Sequence, residues 1–180
     1  MHGVLYVCLP RSEARSSLTA RKKVCEYLTQ ENYDATEPPF SGGCDYDYYS
    51  VGGRYSGRLI LLRLRQEQPR QFDRFWKRYW MKDISEEEAE RLFRATFPKF
   101  RGKLPINRGG TGFEGEADDA QIMDEPLFQE LKAGFSNVVD YSYEISEPNV
   151  ICTDDTDDFE WPTTAEEAGK LWVVVIDYHF

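Results

Sequence analysis

The residues best equipped for chemistry lie between positions 45 and 58, DYDYYSVGGRYSGR. Arg54 and Arg58 carry planar guanidinium forks that suit phosphate or carboxylate. Tyr48, Tyr49 and Tyr55 offer ring faces for stacking a base, or for cation–π contact with those arginines. Gly52 and Gly53 permit positive φ and close backbone approach. Together these are the parts of a pocket for an anionic, ring-bearing ligand. A structural turn uses the same residues differently: Asp47 pairs with Arg54, the tyrosines pack and the glycines relieve strain. Spacing alone leaves both readings open.

A second constellation closes the chain, Asp177-Tyr178-His179-Phe180. Asp177 and His179 stand at i and i+2, one face of a strand. A carboxylate beside an imidazole orients it and raises its pKa, which suits general acid–base work. Against this, a histidine next to a chain end is commonly a frayed, solvated residue. His2 precedes the first apolar run, so antiparallel pairing of the terminal strands brings His2 and His179 to one sheet end. Two histidines allow metal-free phosphodiester chemistry.

Other signals are weaker. Asn107–Gly112 is glycine-rich but lacks the Gly-Lys-Ser/Thr of a P-loop. Asp154–Asp158 lacks EF-hand spacing and reads as a solvated acidic turn. Trp76, Tyr79 and Trp80 beside Arg74 and Arg78 could stack single-stranded bases, yet their helical spacing reads as a core-facing stripe. Four scattered cysteines and two histidines supply neither a disulfide framework nor a zinc site, so neither metal nor cofactor is expected.

The elements that must position these residues follow from periodicity. Gly3–Leu9 and Leu171–Phe180 are apolar, β-branched strands. A helix runs from Ser16–Ser17 to about Glu31. Arg58–Arg65 (RLILLRLR) reads as a strand. Phe72, Phe75, Trp76, Tyr79 and Trp80 recur at helical spacing, and Ser85–Glu88 is a capping box opening a second helix that stops before Pro98. Residues 126–133 and 163–168 are short helical pieces. Val138–Ile145 alternates as a strand that pairs with Asn149–Thr153. The expected fold is one α+β domain over residues 1–180, with a mainly antiparallel sheet and helices on one face. A ferredoxin-like core is the model, with 66–105 an inserted helical hairpin and 106–125 a mobile glycine- and acid-rich loop. The terminal strands should share a sheet, with the 47–57 loop near its C-terminal end.

At 180 residues and 41% apolar composition the chain can bury a core unaided. No apolar run reaches the roughly 18 residues of a membrane helix. No signal peptide is apparent, and cysteine usage fits a reducing cytoplasm. The net charge of −10 conceals segregation. Residues 1–113 carry +6, residues 114–160 carry −14, and the last twenty −2. Either the halves neutralise each other within one fold or they form opposed surfaces. The acidic balance disfavours direct nucleic-acid binding, although the acidic stretch could imitate nucleic acid.

Residues 47–57, DYYSVGGRYSG, resemble the D-[WY]-[YF]-x-[IV]-G-G-R-[WY]-[ST]-G signature of a family of small, mostly uncharacterised phage and bacterial proteins. The ending Val175-Ile176-Asp177-Tyr178-His179-Phe180 is similar to that family's V-V-D-C-H-[ILF], with Tyr178 in place of Cys. The two matches and the opening strand cover some 25 residues, and 66–160 matches nothing. The resemblance implies a phage-type protein in a bacterial cytoplasm and no particular reaction. Its expected role is anti-defence: sequestration of a small anionic, nucleotide-like signal by Tyr48, Tyr49, Gly52, Gly53, Arg54, Tyr55, Arg58 and His179. One alternative is metal-independent hydrolysis of a cyclic nucleotide signal by His179 with Asp177. Another is an acidic nucleic-acid mimic that inhibits a host defence protein. A homo-oligomer is compatible with all three.

Overall fold

The computed structural model describes residues 2–31, 48–80, 84–102, 104–105, 117–133, 149–152 and 162–179. The sheet is organised around the two ends of the chain, β1 (His2–Pro10) and β5 (Leu171–His179). They pair antiparallel over their full length, from His2 opposite His179 to Pro10 opposite Leu171. On the far side of β1, β4 (Asn149–Cys152) pairs in parallel. The 138–145 segment expected to form a hairpin with it lies outside the described residues. The other side of β5 is shared. β2 (Tyr48–Val51) covers residues 176–179 and β3 (Ala120–Ile122) covers 172–174, both antiparallel.

Alternation sorts the strand side chains between two cores. Val4, Tyr6, Cys8, Val173 and Val175 meet Leu59 and Leu62 of α2 (Arg58–Glu67), Leu127, Phe128 and Leu131 of α5 (Glu125–Lys132) and Ala168 of α6 (Ala165–Ala168). Leu5, Val7, Leu9, Val174 and Ile176 meet Ala20, Val24 and Leu28 of α1 (Ser17–Glu31). The chain is thus an α+β fold with a mainly antiparallel sheet, but helices cover both faces rather than one. The sequence carries the reason: β1 and β5 are apolar at odd and even positions alike, so both faces need a cover.

Residues 58–65 are corrected from strand to helix. Leu59 and Leu62 of α2 face the sheet, while Leu61 and Leu64 face a third core. A helix buried on two sides shows a nearly unbroken apolar run, which mimics a buried strand. The third core belongs to α3 (Pro69–Trp80) and α4 (Glu86–Thr96), at the predicted positions. The capping box forms, with Ser85 Oγ accepting from the Glu88 N–H at 3.2 Å. Phe72, Phe75 and Tyr79 are buried against Phe93 and Phe97, and the Phe75 and Phe93 rings meet edge-to-face at 5.4 Å. Of the expected 106–125 loop, residues 106–116 lie outside the described residues. The rest is not loop: Ala117–Asp119 is a 3₁₀ turn, β3 follows, and Asp124 caps α5. Pairing with β5 satisfies backbone groups that an open edge would leave bare.

Candidate functional site at the sheet end

The glycine-rich motif sits where one neighbour of β5 gives way to the next. β2 ends at Val51, opposite Ile176, and Gly52 N–H then donates to Val175 O at 2.8 Å. Here the chain turns out of the sheet and enters a 3₁₀ turn, Gly53–Tyr55. Gly52 has φ 75° and ψ −69°, the γ-turn region that side-chain-bearing residues avoid. Its other constraint is space. A Cβ on Gly52 would lie 2.2 Å from Asp119 Oδ2, and one on Gly53 would lie 2.4 Å from Asp177 Cβ. The glycine pair therefore admits two carboxylates beneath the loop.

Both carboxylates are buried, Asp119 at 0% and Asp177 at 4% exposure. Asp177 Oδ2 accepts from the Arg54 backbone N–H at 2.9 Å. Asp119 Oδ1 accepts from the Gly57 N–H and its Oδ2 from the Ser56 hydroxyl, each at 3.0 Å. Hydrogen bonds to charged groups contribute about 1.5–3 kcal/mol each. Residues 52–57 are thus pinned from below at both ends. Burial pushes the Asp119 carboxyl above its usual range. The Gly57 and Ser56 bonds and the charge of Arg21 pull the other way without cancelling that effect.

Arg58 turns inward from the start of α2 and is 8% exposed. Its guanidinium lies over the half-buried Tyr55 ring, 5.3 Å from the centroid. Tyr6 is wholly buried in the same core, and its phenol is pushed up to about 12 by burial, against the opposing pull of Arg58. The cation–π contact anticipated for the motif is therefore made by Arg58 with Tyr55.

Arg54 is placed differently. Its main-chain N–H is bound to Asp177, and its side chain is exposed. It forms no ion pair with any described residue. Register aligns three further positions at the same sheet end: His2 opposite His179 on one side, and Tyr48 opposite His179 on the other. Positions 2, 179 and 48 therefore form one cross-strand row, two residues beyond Asp177. Tyr49 is opposite Tyr178 in the next row. Asp47 lies outside the described residues, as does the His179 side chain with which Asp177 was expected to pair. No cluster of three or more metal-ligating side chains exists among the described residues.

The structure brings both sequence motifs together and adds Asp119, Ser56 and Tyr6, which sequence reasoning missed. Asp119 carries no local signal, being one acid in an acid-rich stretch. A glycine pair needing room for something beneath it was the available clue. Comparison with protein-family models, curated proteins and solved structures returns no match to this chain.

Proposed function

We propose that the protein binds a small anionic, nucleotide-like ligand at this end of the sheet, with Arg54 as the anion contact. The observation that carries the reading is the division of labour at Arg54. Its main chain holds the loop through Asp177, and its exposed guanidinium is committed to no described partner. The turn that carries the fork is pinned, so binding has to order the side chain but not the loop. In this reading Tyr48, Tyr49, Tyr55 and His179 supply ring chemistry for a base. Arg58 is assigned a supporting part, fixing Tyr55 from behind. Read with the phage-type resemblance, the role is sequestration of a defence signal.

Arg54→Ala keeps the N–H that Asp177 needs, so it separates binding from folding. Calorimetry against a panel of mono-, di- and cyclic nucleotides should find a ligand for the parent protein. The variant should lose about 1.5–3 kcal/mol, or roughly 10- to 150-fold in affinity, with unchanged melting temperature. Equal affinity in parent and variant overturns the assignment.

The pairing of His2 with His179 favours one second reading, metal-independent cleavage of the bound ligand. Two imidazoles in one cross-strand row could serve as base and acid. Chromatography of ligand released by heating decides between the readings. Intact ligand supports sequestration, and a product that disappears in His179→Ala supports cleavage.

A further inference from the structure

We infer that the outer face of α3 and the cleft at its end form a docking surface for single-stranded nucleic acid, separate from the Arg54 site. The core side of α3, against α2 and α4, is spent on Phe72, Phe75 and Tyr79. Arg70, Arg74, Lys77 and Arg78 occupy the opposite arc at i, i+4, i+7 and i+8, and all four are exposed. They run along about 12 Å of helix, with Asp73 at the margin. Several cations elsewhere among the described residues have acidic partners: Lys23 with Glu13 at 2.7 Å, Arg63 with Asp124 at 2.8 Å, Arg94 with Glu90 at 3.4 Å. None of the four on α3 forms an ion pair with a described residue.

The stripe ends at a cleft of about 240 Å³ between α3 and α4, lined by Arg78, Ile84, Glu88, Arg91 and Leu92. Its composition chooses among anionic partners. Arg78 and Arg91 attract phosphate or carboxylate. Ile84 and Leu92 offer an apolar floor to a flat ring. Glu88 repels an acidic peptide but accepts from a base amino group. A partner that is anionic along its backbone and carries amino-bearing rings satisfies all three, and its rings are free to enter only when unpaired. The whole-chain charge of −10 does not oppose this, because charges beyond about 8 Å are largely screened at physiological salt.

The test is fluorescence anisotropy of the full chain with a labelled 12-nucleotide mixed-sequence oligonucleotide. The same strand as a duplex and a polyglutamate of equal charge are competitors. Three to four phosphate contacts predict a log–log salt slope of about −2 to −3, or a loss of roughly 20- to 50-fold between 50 and 200 mM salt. The triple variant R70E/R74E/K77E changes only exposed positions, and circular dichroism confirms its helices. It should lose binding at least tenfold, Arg91→Ala should narrow the preference over polyglutamate, and Lys22→Ala, on α1, should change nothing. The inference is overturned if the triple variant binds as well as the parent. Duplex or polyglutamate competing as well as the single strand also overturns it, as does absence of binding at 50 mM salt.

Discussion

Replacing Gly52 with alanine should destabilise the protein severely, and replacing Asp119 as well should add little further loss. The first cost is conformational: φ 75° with ψ −69° costs a side-chain-bearing residue about 1–3 kcal/mol. The second is steric, because the new methyl would stand 2.2 Å from Asp119 Oδ2. Moving that carboxylate orphans the buried Gly57 N–H, at about 1–3 kcal/mol, and breaks the Ser56 bond, at about 1 kcal/mol. Gly52→Ala should therefore cost about 3–7 kcal/mol in total. Asp119→Ala loses the same two contacts, about 2–4 kcal/mol. In the double variant those contacts are lost only once, and the methyl has room. The double variant should be more stable than the sum of the singles by about 2 kcal/mol or more. Urea unfolding followed by tryptophan fluorescence reads all four corners of the cycle, provided m is unchanged. Additivity within about 0.5 kcal/mol would refute the claim that Gly52 makes room for Asp119.

Two pH effects follow from the same buried groups. Asp119 is raised above 3.8 in the folded state, so its stabilising contribution is complete below that pH and is lost as pH rises through the folded value. Asp119→Asn can still accept from the Gly57 N–H, so it should gain on the parent in urea midpoints as pH rises above 3.8; a constant difference would contradict the upward shift. Tyr6 rises from 10.0 to about 12, so its contribution is complete below pH 10 and lost towards pH 12. Tyr6→Phe should flatten that alkaline loss and remove one phenol that ionises at about pH 12, read at 295 nm.

The sequence was most legible where one element has one buried side. Phe72, Phe75 and Tyr79 announced α3 because only one arc of that helix meets the core. The terminal strands were equally plain, and their pairing followed from having to satisfy their backbone groups. Legibility failed at α2, where Leu59 and Leu62 serve one core and Leu61 and Leu64 another, which erases the helical period. It failed again at Asp119, whose partners Ser56 and Gly57 lie about sixty positions away. The charge segregation resolves in part into internal pairing. Asp124 and Glu130 of the acidic stretch meet Arg63 and Arg65 of the basic one. To that extent the acids neutralise the first half of the chain and are not displayed as a mimic of nucleic acid.

The glycine-rich motif at 47–57 and the chain ending at 175–180 turn out to be one physical unit. The loop needs Asp177 for its Arg54 N–H, and Asp177 needs a glycine at 53 because a Cβ there would strike it. Glycine pair and C-terminal acid are therefore accounted for by folding alone, and neither is evidence for a ligand. The same reasoning isolates what folding does not account for. Any residue except proline supplies an N–H at position 54, so the Asp177 bond places no demand on the side chain there. The Arg54 guanidinium and the row of His2, His179 and Tyr48 are what remains once the loop's structural requirements have been met. The histidine and tyrosine positions share one cross-strand row, and Arg54 stands on the loop held by Asp177, two residues along the same strand.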